Sequence, residues 1–237
     1  MKKAPKIIAI AALLIACYTT SFAQLSLGLR GGLNVGNVYT TDGLDAVTPD
    51  FQSINGPTVA GVLEYGFSKN FALQTELGIT RKGFKFGLDR DINLFNIPVP
   101  VGATAESRFN YLEVPLLAKI KFGDETVHGY VTAGPTFGYA TSGRLITRAD
   151  ALFEFKVSDT DINLDAINYE RFEVGGAVGA GIGFNTGFGQ LFADARYTRG
   201  FTELYDIPVF DERIRNQGFA LSVGFLVPLS NNRTVYP

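Results

Sequence analysis

The sequence predicts an all-β fold, an eight-stranded antiparallel up-and-down transmembrane β-barrel, and three observations carry that expectation. Apolar and polar residues alternate along eight segments of the 237-residue chain, the period of a strand with one apolar face. Each segment runs to about ten residues, the length a tilted strand needs to cross a bilayer; strands of soluble sandwiches are nearer five or six. Connections between segments alternate short and long, as they do when short turns lie on the periplasmic side and long loops outside.

The first residues are an address rather than part of the fold. Residues 1–6 are basic, 7–16 are apolar, and 18–23 close on a small-x-small pattern. This is the layout of a secretory signal peptide cleaved between Ala23 and Gln24. An apolar run of about ten residues is too short for a spanning helix. Leu14-Ile15-Ala16-Cys17 also resembles a lipoprotein box in which Cys17 would be lipidated, but the ordered pattern starting at Leu25 favours cleavage after Ala23. The expected division is a signal peptide over 1–23, a barrel over 24–229 and a tail over 230–237.

The segments follow in order. The first sets Leu25, Leu27, Leu29, Leu33 and Val35 against Ser26, Gly28, Arg30, Gly32 and Asn34. The second sets Val59, Leu63, Tyr65 and Phe67 against Ala60, Val62 and Glu64. The third sets Phe71, Leu73, Leu77 and Ile79 against Gln74, Glu76, Gly78, Thr80 and Lys82. The fourth sets Leu112, Val114, Leu116, Ile120 and Phe122 against Glu113, Pro115, Leu117, Lys119 and Lys121. The fifth sets Val131, Ala133, Phe137 and Tyr139 against Thr132, Gly134, Thr136 and Gly138. The sixth sets Phe172, Val174, Val178, Ile182 and Phe184 against Glu173, Gly175, Ala177 and Gly179. The seventh sets Leu191, Ala193, Ala195 and Tyr197 against Phe192, Asp194, Arg196 and Thr198, and the eighth sets Phe219, Leu221, Val223, Phe225 and Val227 against Ala220, Ser222, Gly224 and Leu226.

Short turns are expected at 68–70, 123–128 and 185–189, and long loops at roughly 36–57, 84–108, 141–170 and 200–217. Aromatic residues gather at both ends of the segments. Tyr65, Phe67, Phe71, Phe122, Tyr130, Phe184 and Phe225 would form the girdle at the short-turn end; Phe84, Phe109, Tyr139, Phe172, Tyr197, Phe201 and Phe219 would form the other rim. With no Trp in the chain, only Tyr and Phe can serve.

The polar faces carry five bases (Arg30, Lys82, Lys119, Lys121, Arg196) and five acids (Glu64, Glu76, Glu113, Glu173, Asp194). That balance suggests a paired charge network in a confined lumen rather than a solvated surface. Inward glycines would let eight strands close tightly. Glu113 and Lys119 share a face six residues apart, too far to pair along the strand, so Glu76, Arg196 and Asp194 are their expected cross-strand partners. A soluble lipocalin-like barrel would reverse this polarity, with an apolar ligand inside and charge outside. Here the apolar face is the more continuous one, which suits lipid outside.

Composition narrows the functions. The chain holds 21 Lys+Arg and 23 Asp+Glu, so nothing draws it to nucleic acid. A single Cys and a single His exclude a disulfide scaffold and a multi-histidine metal centre. His128, beside Asp124 and Glu125, reads as an exposed turn residue, because no nucleophile and orienting acid stand with it. Asp89-Arg-Asp-Ile-Asn-Leu94 recurs as Asp159-Thr-Asp-Ile-Asn-Leu164, followed by Asp165 and Glu170. The spacing has features of a calcium loop, but Leu164 stands where the sharp turn wants Gly, so Asx-rich turns are the favoured reading. Gly179-Ala-Gly-Ile-Gly183 has no helix after it and is strand pattern, not a nucleotide loop. Arg81 and Arg199, at the outer rim of the lipid-facing side, suit contact with lipid phosphates or a plain rim position.

Several stretches resemble the outer-membrane β-barrel domain of Bacteroidota, the porin-family or PorT-like proteins. They are Leu27-Gly-Leu-Arg-Gly-Gly-Leu-Asn34, Gln74-Thr-Glu-Leu77 with Lys82-Gly83, Asn110-Tyr-Leu-Glu-Val-Pro-Leu-Leu-Ala-Lys119, Ala133-Gly-Pro135 with Phe137-Gly138, and Asp194-Ala-Arg-Tyr197. The resemblance spans 25–228 and implies an eight-stranded barrel in the outer membrane without fixing an activity. Such barrels often end on a terminal aromatic, whereas this chain continues past Phe225 to Pro237. The combined expectation is a non-enzymatic barrel without cofactor or metal. Its partners would be outer-membrane lipid and lipopolysaccharide, the barrel-assembly machinery, and an envelope or extracellular protein met through the loops, with Leu152, Phe153, Phe155 and Val157 extending a hairpin or touching that partner. A small-solute porin, a secretion-apparatus component and a lipid-modifying barrel enzyme are the rival readings.

Overall fold

The computed structural model describes residues 24–40, 52–94, 97–151, 153–166, 169–204 and 214–229. Cleavage at Ala23, lipidation at Cys17 and the tail from 230 fall outside them, as do Leu152 and the side chains of Phe153, Phe155 and Val157. Nine strands follow one another: β1 Gln24–Thr40, β2 Gln52–Gly66, β3 Phe71–Leu94, β4 Ile97–Gly123, β5 Val127–Ala151, β6 Phe153–Ile162, β7 Phe172–Asn185, β8 Gln190–Gly200 and β9 Ile214–Pro228. All pairings are antiparallel, and eight of the strands form a ring in the order β1-β2-β3-β4-β5-β7-β8-β9, closed by β1 against β9 from Ser26↔Pro228 to Thr40↔Ile214. Closure pairs the backbone groups around the ring, the condition for crossing a bilayer with strands.

The ninth strand comes from a fork. The lower half of β5, Val127–Tyr139, pairs with β7, while its upper part, Gly143–Ala151, pairs with β6. The connections expected as long loops at 84–108 and 141–170 are therefore largely strand. β3 and β4 stay in register from Gly83↔Arg108 up to Leu94↔Ile97. Alternation continues there through Phe84, Phe86 and Leu88, and nothing in the chain breaks the ladder before 95. At 24, 27 and 25 residues, β3, β4 and β5 far exceed the length that spans a bilayer, so with β6 they rise as a wall above one side of the ring. The three short turns lie at the opposite end, level with the Ser26↔Pro228 end of the ring's seam.

Polarity is inside out. Leu29, Ile182 and Val223 are 70%, 65% and 65% exposed, and Leu112, Val114, Leu116 and Ile120 also face outward. Lys119 and Glu64 are 1% and 4% exposed. A continuous belt of this size cannot face water and marks a lipid-facing surface.

Parity corrects three aromatic placements. Tyr130 is buried in the lumen rather than in the periplasmic girdle, and Phe84 and Phe109 are buried inside rather than on the outer rim. Tyr130 shares the parity of Thr132, and Phe109 that of Tyr111, so strand geometry overrides the aromatic preference for an interface. Glycine makes the room: a Cβ on Gly181 would lie 2.4 Å from the Tyr130 ring, and one on Gly224 2.3 Å from the Phe192 ring.

Candidate functional site

The lumen holds its charges in three tiers. At the short-turn end, Lys119 donates to Glu64 Oε2 at 2.7 Å and to Gln74 Oε1 at 3.2 Å, and Lys121 donates to Glu64 Oε1. The Lys119 ammonium sits 4.0 Å from the centre of the Tyr130 ring, a second source of stabilisation for the buried cation. In the middle, Glu76 receives both arms of the Arg196 guanidinium at 2.9 and 2.7 Å and one arm of Arg30 at 3.0 Å. The other arm of Arg30 reaches Asp194 at 3.1 Å, and Tyr130 donates its hydroxyl to the same carboxylate. In the outer tier, Lys82 bridges Glu113 at 2.6 Å and Glu173 at 2.5 Å, and Asn216 donates to Glu173. All ten lumen charges read from the sequence stand in these three clusters. Their partners differ in part: Glu113 pairs with Lys82, and Lys119 with Glu64, rather than with Glu76, Arg196 or Asp194. The stagger of the ladder explains this, because β3 and β4 set Ala72 opposite Lys119 and Gly78 opposite Glu113. Glu76 therefore lies between the two heights and meets the β1 and β8 arginines instead.

Between the middle and outer tiers lies a cavity of about 30 Å³, bordered by Arg30, Glu76, Lys82, Glu113 and Arg196. That is room for about one or two waters, not for a solute. At the short-turn end His128 corrects its expected place: it is 6% exposed inside β5, its Nε2 2.7 Å from Gln190 Nε2. The amide is the donor in that pair, which leaves the imidazole proton on Nδ1.

Above the ions the lumen turns apolar. Val38, Phe84, Phe109, Tyr111, Ala140, Leu164, Tyr169 and Leu204 form one buried cluster. Leu164 and Tyr169 come from the connection between β6 and β7, which folds back over the mouth. Tyr169 stacks on Phe109 with ring centres 4.5 Å apart, and its hydroxyl lies 2.6 Å from that of Tyr111. Backbone bonds fasten the segment, with Tyr169 N donating to Leu164 O, Glu170 N to Leu204 O and Ala140 N to Arg171 O. No periodic signal within 141–170 marks Leu164 and Tyr169 as inward, which is why reading the sequence missed them; Tyr111 and Gln74 were legible from strand parity alone.

The second copy of the Asp-x-Asp motif faces arginine side chains. On β6, Asp159 and Asp161 face Arg144 at 3.5 and 3.2 Å, Asp165 holds Arg171, and the Asn163 side chain accepts from Asp165 N and Ala166 N in an Asx turn. Among the described residues no group of acids, His or Cys has metal-holding geometry. The first copy, 89–94, runs within β3; its side chains lie outside the described residues. On the wall above the belt, Glu106 accepts a two-pronged bond from Arg108 and a third from Arg148 at 2.7 Å. Burial raises its pKa, and the two guanidinium partners more than offset that, holding the carboxyl below the usual range.

A family model described as an outer membrane protein beta-barrel domain matches residues 22–206. The chain belongs to that family. It is an outer-membrane protein, and its closed ring of eight strands is a β-barrel, as the family's description says. No curated protein matches the sequence. Among solved structures, it is similar to Ail, the attachment invasion locus protein of Yersinia pestis, in complex with the heparin analogue sucrose octasulfate, at 16% identity, with 86% of this chain and 99% of that one covered and a TM-score of 0.40. It is also similar to Neisserial surface protein A (14% identity, 84% and 95% covered, TM-score 0.41) and to the outer membrane protein OprG of Pseudomonas aeruginosa (12% identity, 85% and 95% covered, TM-score 0.41).

Proposed function

We propose that this barrel is a non-enzymatic, non-conducting outer-membrane platform that presents the β3–β6 wall to an envelope or extracellular partner. The observation that carries the reading is the filled axis: three tiers of paired charge beneath the aromatic plug of Phe109, Tyr111 and Tyr169. A solute pore would need an open path, and the cavity of about 30 Å³ is not one. The wall supplies what a membrane span does not need, a paired sheet standing clear of the lipid belt. On this reading residues 1–23 direct export and are removed between Ala23 and Gln24, residues 24–229 are the barrel and 230–237 a tail, and the barrel-assembly machinery inserts the chain. The stretch Asn110–Lys119 supports placing it with the PorT-like proteins of Bacteroidota.

Planar-bilayer recordings test the proposal. The purified full chain should give no stepwise conductance, and liposomes carrying it should swell in sugar no faster than empty ones. Ohmic steps from the unmodified protein would establish the porin reading instead.

A further inference from the structure

The fork in β5 leaves a cleft of about 590 Å³ on the outer face of the wall, lined by Arg81, Arg108, Arg144 and Arg171 together with Asn110 and Asp161. Its position follows from the ladder. Arg81 lies two residues beyond Ile79 of the apolar belt, opposite Asn110, which in turn lies opposite Ser142. The next row sets Arg108 directly opposite Arg144. The cleft therefore opens just above the lipid-facing belt, at the height of the outer-leaflet headgroups. Two like charges opposed across strands destabilise a sheet unless something compensates them.

The carboxylates present compensate only in part. Glu106 engages Arg108 through Nε and Nη2, and Asp165 engages Arg171 through the same two atoms. Among the described residues, Arg144 meets carboxylates through its Nε alone, at Asp159 and Asp161. Arg81 gives its Nε to the neutral Asn110 at a long 3.4 Å, and no described carboxylate pairs with it. Among the described residues no carboxylate bonds to an Nη group of Arg81 or of Arg144, and both residues line the cleft. Guanidinium groups in this arrangement match the oxygens of a phosphate.

We propose that this cleft binds a phosphate group carried on a saccharide or lipid headgroup of the outer leaflet, held chiefly by Arg81 and Arg144. A phosphate on a soluble ligand would use the same chemistry, and the test separates the two sources. The full chain in a neutral detergent is mixed with lipid A, with dephosphorylated lipid A, or with inorganic phosphate, and bound species are counted by native mass spectrometry. The unmodified protein should retain lipid A and release the dephosphorylated form. Arg81→Gln and Arg144→Gln should each weaken lipid A binding about tenfold, one charge-assisted hydrogen bond's worth, with boiling-dependent gel mobility unchanged. Competition by inorganic phosphate alone at matched concentration would identify a soluble phosphate as the natural source. Equal retention of both lipid forms, or of lipid A by the Arg81→Gln and Arg144→Gln proteins, would overturn the site. Should one variant fail to fold, the other carries the same comparison.

Discussion

The barrel fills its axis in two different ways, with ions inside the membrane and with aromatic rings at the outer mouth. In the lumen every inward position comes from a ring strand, so its height and direction are set by the ladder. Charges at those positions are removed from water, and pairing with opposite charges makes them tolerable. The result is a tightly specified interior: Glu76 fastens β3 to both β1 and β8 through Arg30 and Arg196. At the mouth the filling comes from the β6–β7 connection, laid across the opening by contacts between Leu164, Tyr169 and Phe109. Apolar packing is less directional than ion pairing, and losing it leaves no orphaned charge. The lumen therefore anchors the ring, while the mouth plug is the part that can be removed without dismantling it.

The largest test of this contrast is Glu76→Gln. It leaves Arg30 and Arg196 short of buried charge compensation and should lower unfolding free energy in detergent by about 3–5 kcal/mol, read from urea titration of the boiling-sensitive gel band. A loss under 1 kcal/mol would refute the anchoring role. Tyr169→Ala should cost about 2–4 kcal/mol in the plug's packing. Its signature is local: backbone amides of 162–171 should exchange faster with deuterium while the ring strands stay protected. Equal deprotection of β1 and β9 would dissolve the distinction between the two regions.

On the wall the contrast is tested by pH. The Glu106 carboxyl is depressed in the folded state, so its contribution is complete above the usual carboxylate pKa and is lost as pH falls through that range toward its own lower value. Amides of 104–108 and 144–148 should lose protection on acidification, by about 1 kcal/mol or less, before the ring opens; Glu106→Gln should abolish that pH response. The smallest effect belongs to the exposed pair Lys69–Glu125 at the short turns, where Glu125→Gln should shift stability by less than about 1 kcal/mol in the same urea titration.

Much of this was legible in the residues. Arg30, Glu64, Glu76, Lys119 and Arg196 were inward by parity alone, because a strand offers only two directions. The apolar belt of Leu29, Leu112, Ile182 and Val223 was equally plain. Which acid meets which base was not, since partners such as Arg30 and Asp194 stand 164 residues apart and their meeting depends on stagger. The wall was half legible: Phe84, Phe86 and Leu88 alternate, yet a reading guided by ten-residue spans stopped at the membrane's edge. His128 was misplaced because its neighbours Asp124 and Glu125 are polar, although the turn ends before it and Gln190 stands just beyond β7.

The sequence by itself determined that this chain has two faces, one for lipid and one for an ionic interior, because alternation at period two fixes the direction of each side chain before any tertiary contact exists. Only the tertiary structure decided the pairing of the ten charges, the fork in β5 and the plug over the mouth. Each depends on register and on where a non-periodic segment comes to rest, and those are properties of the closed ring, not of any one strand.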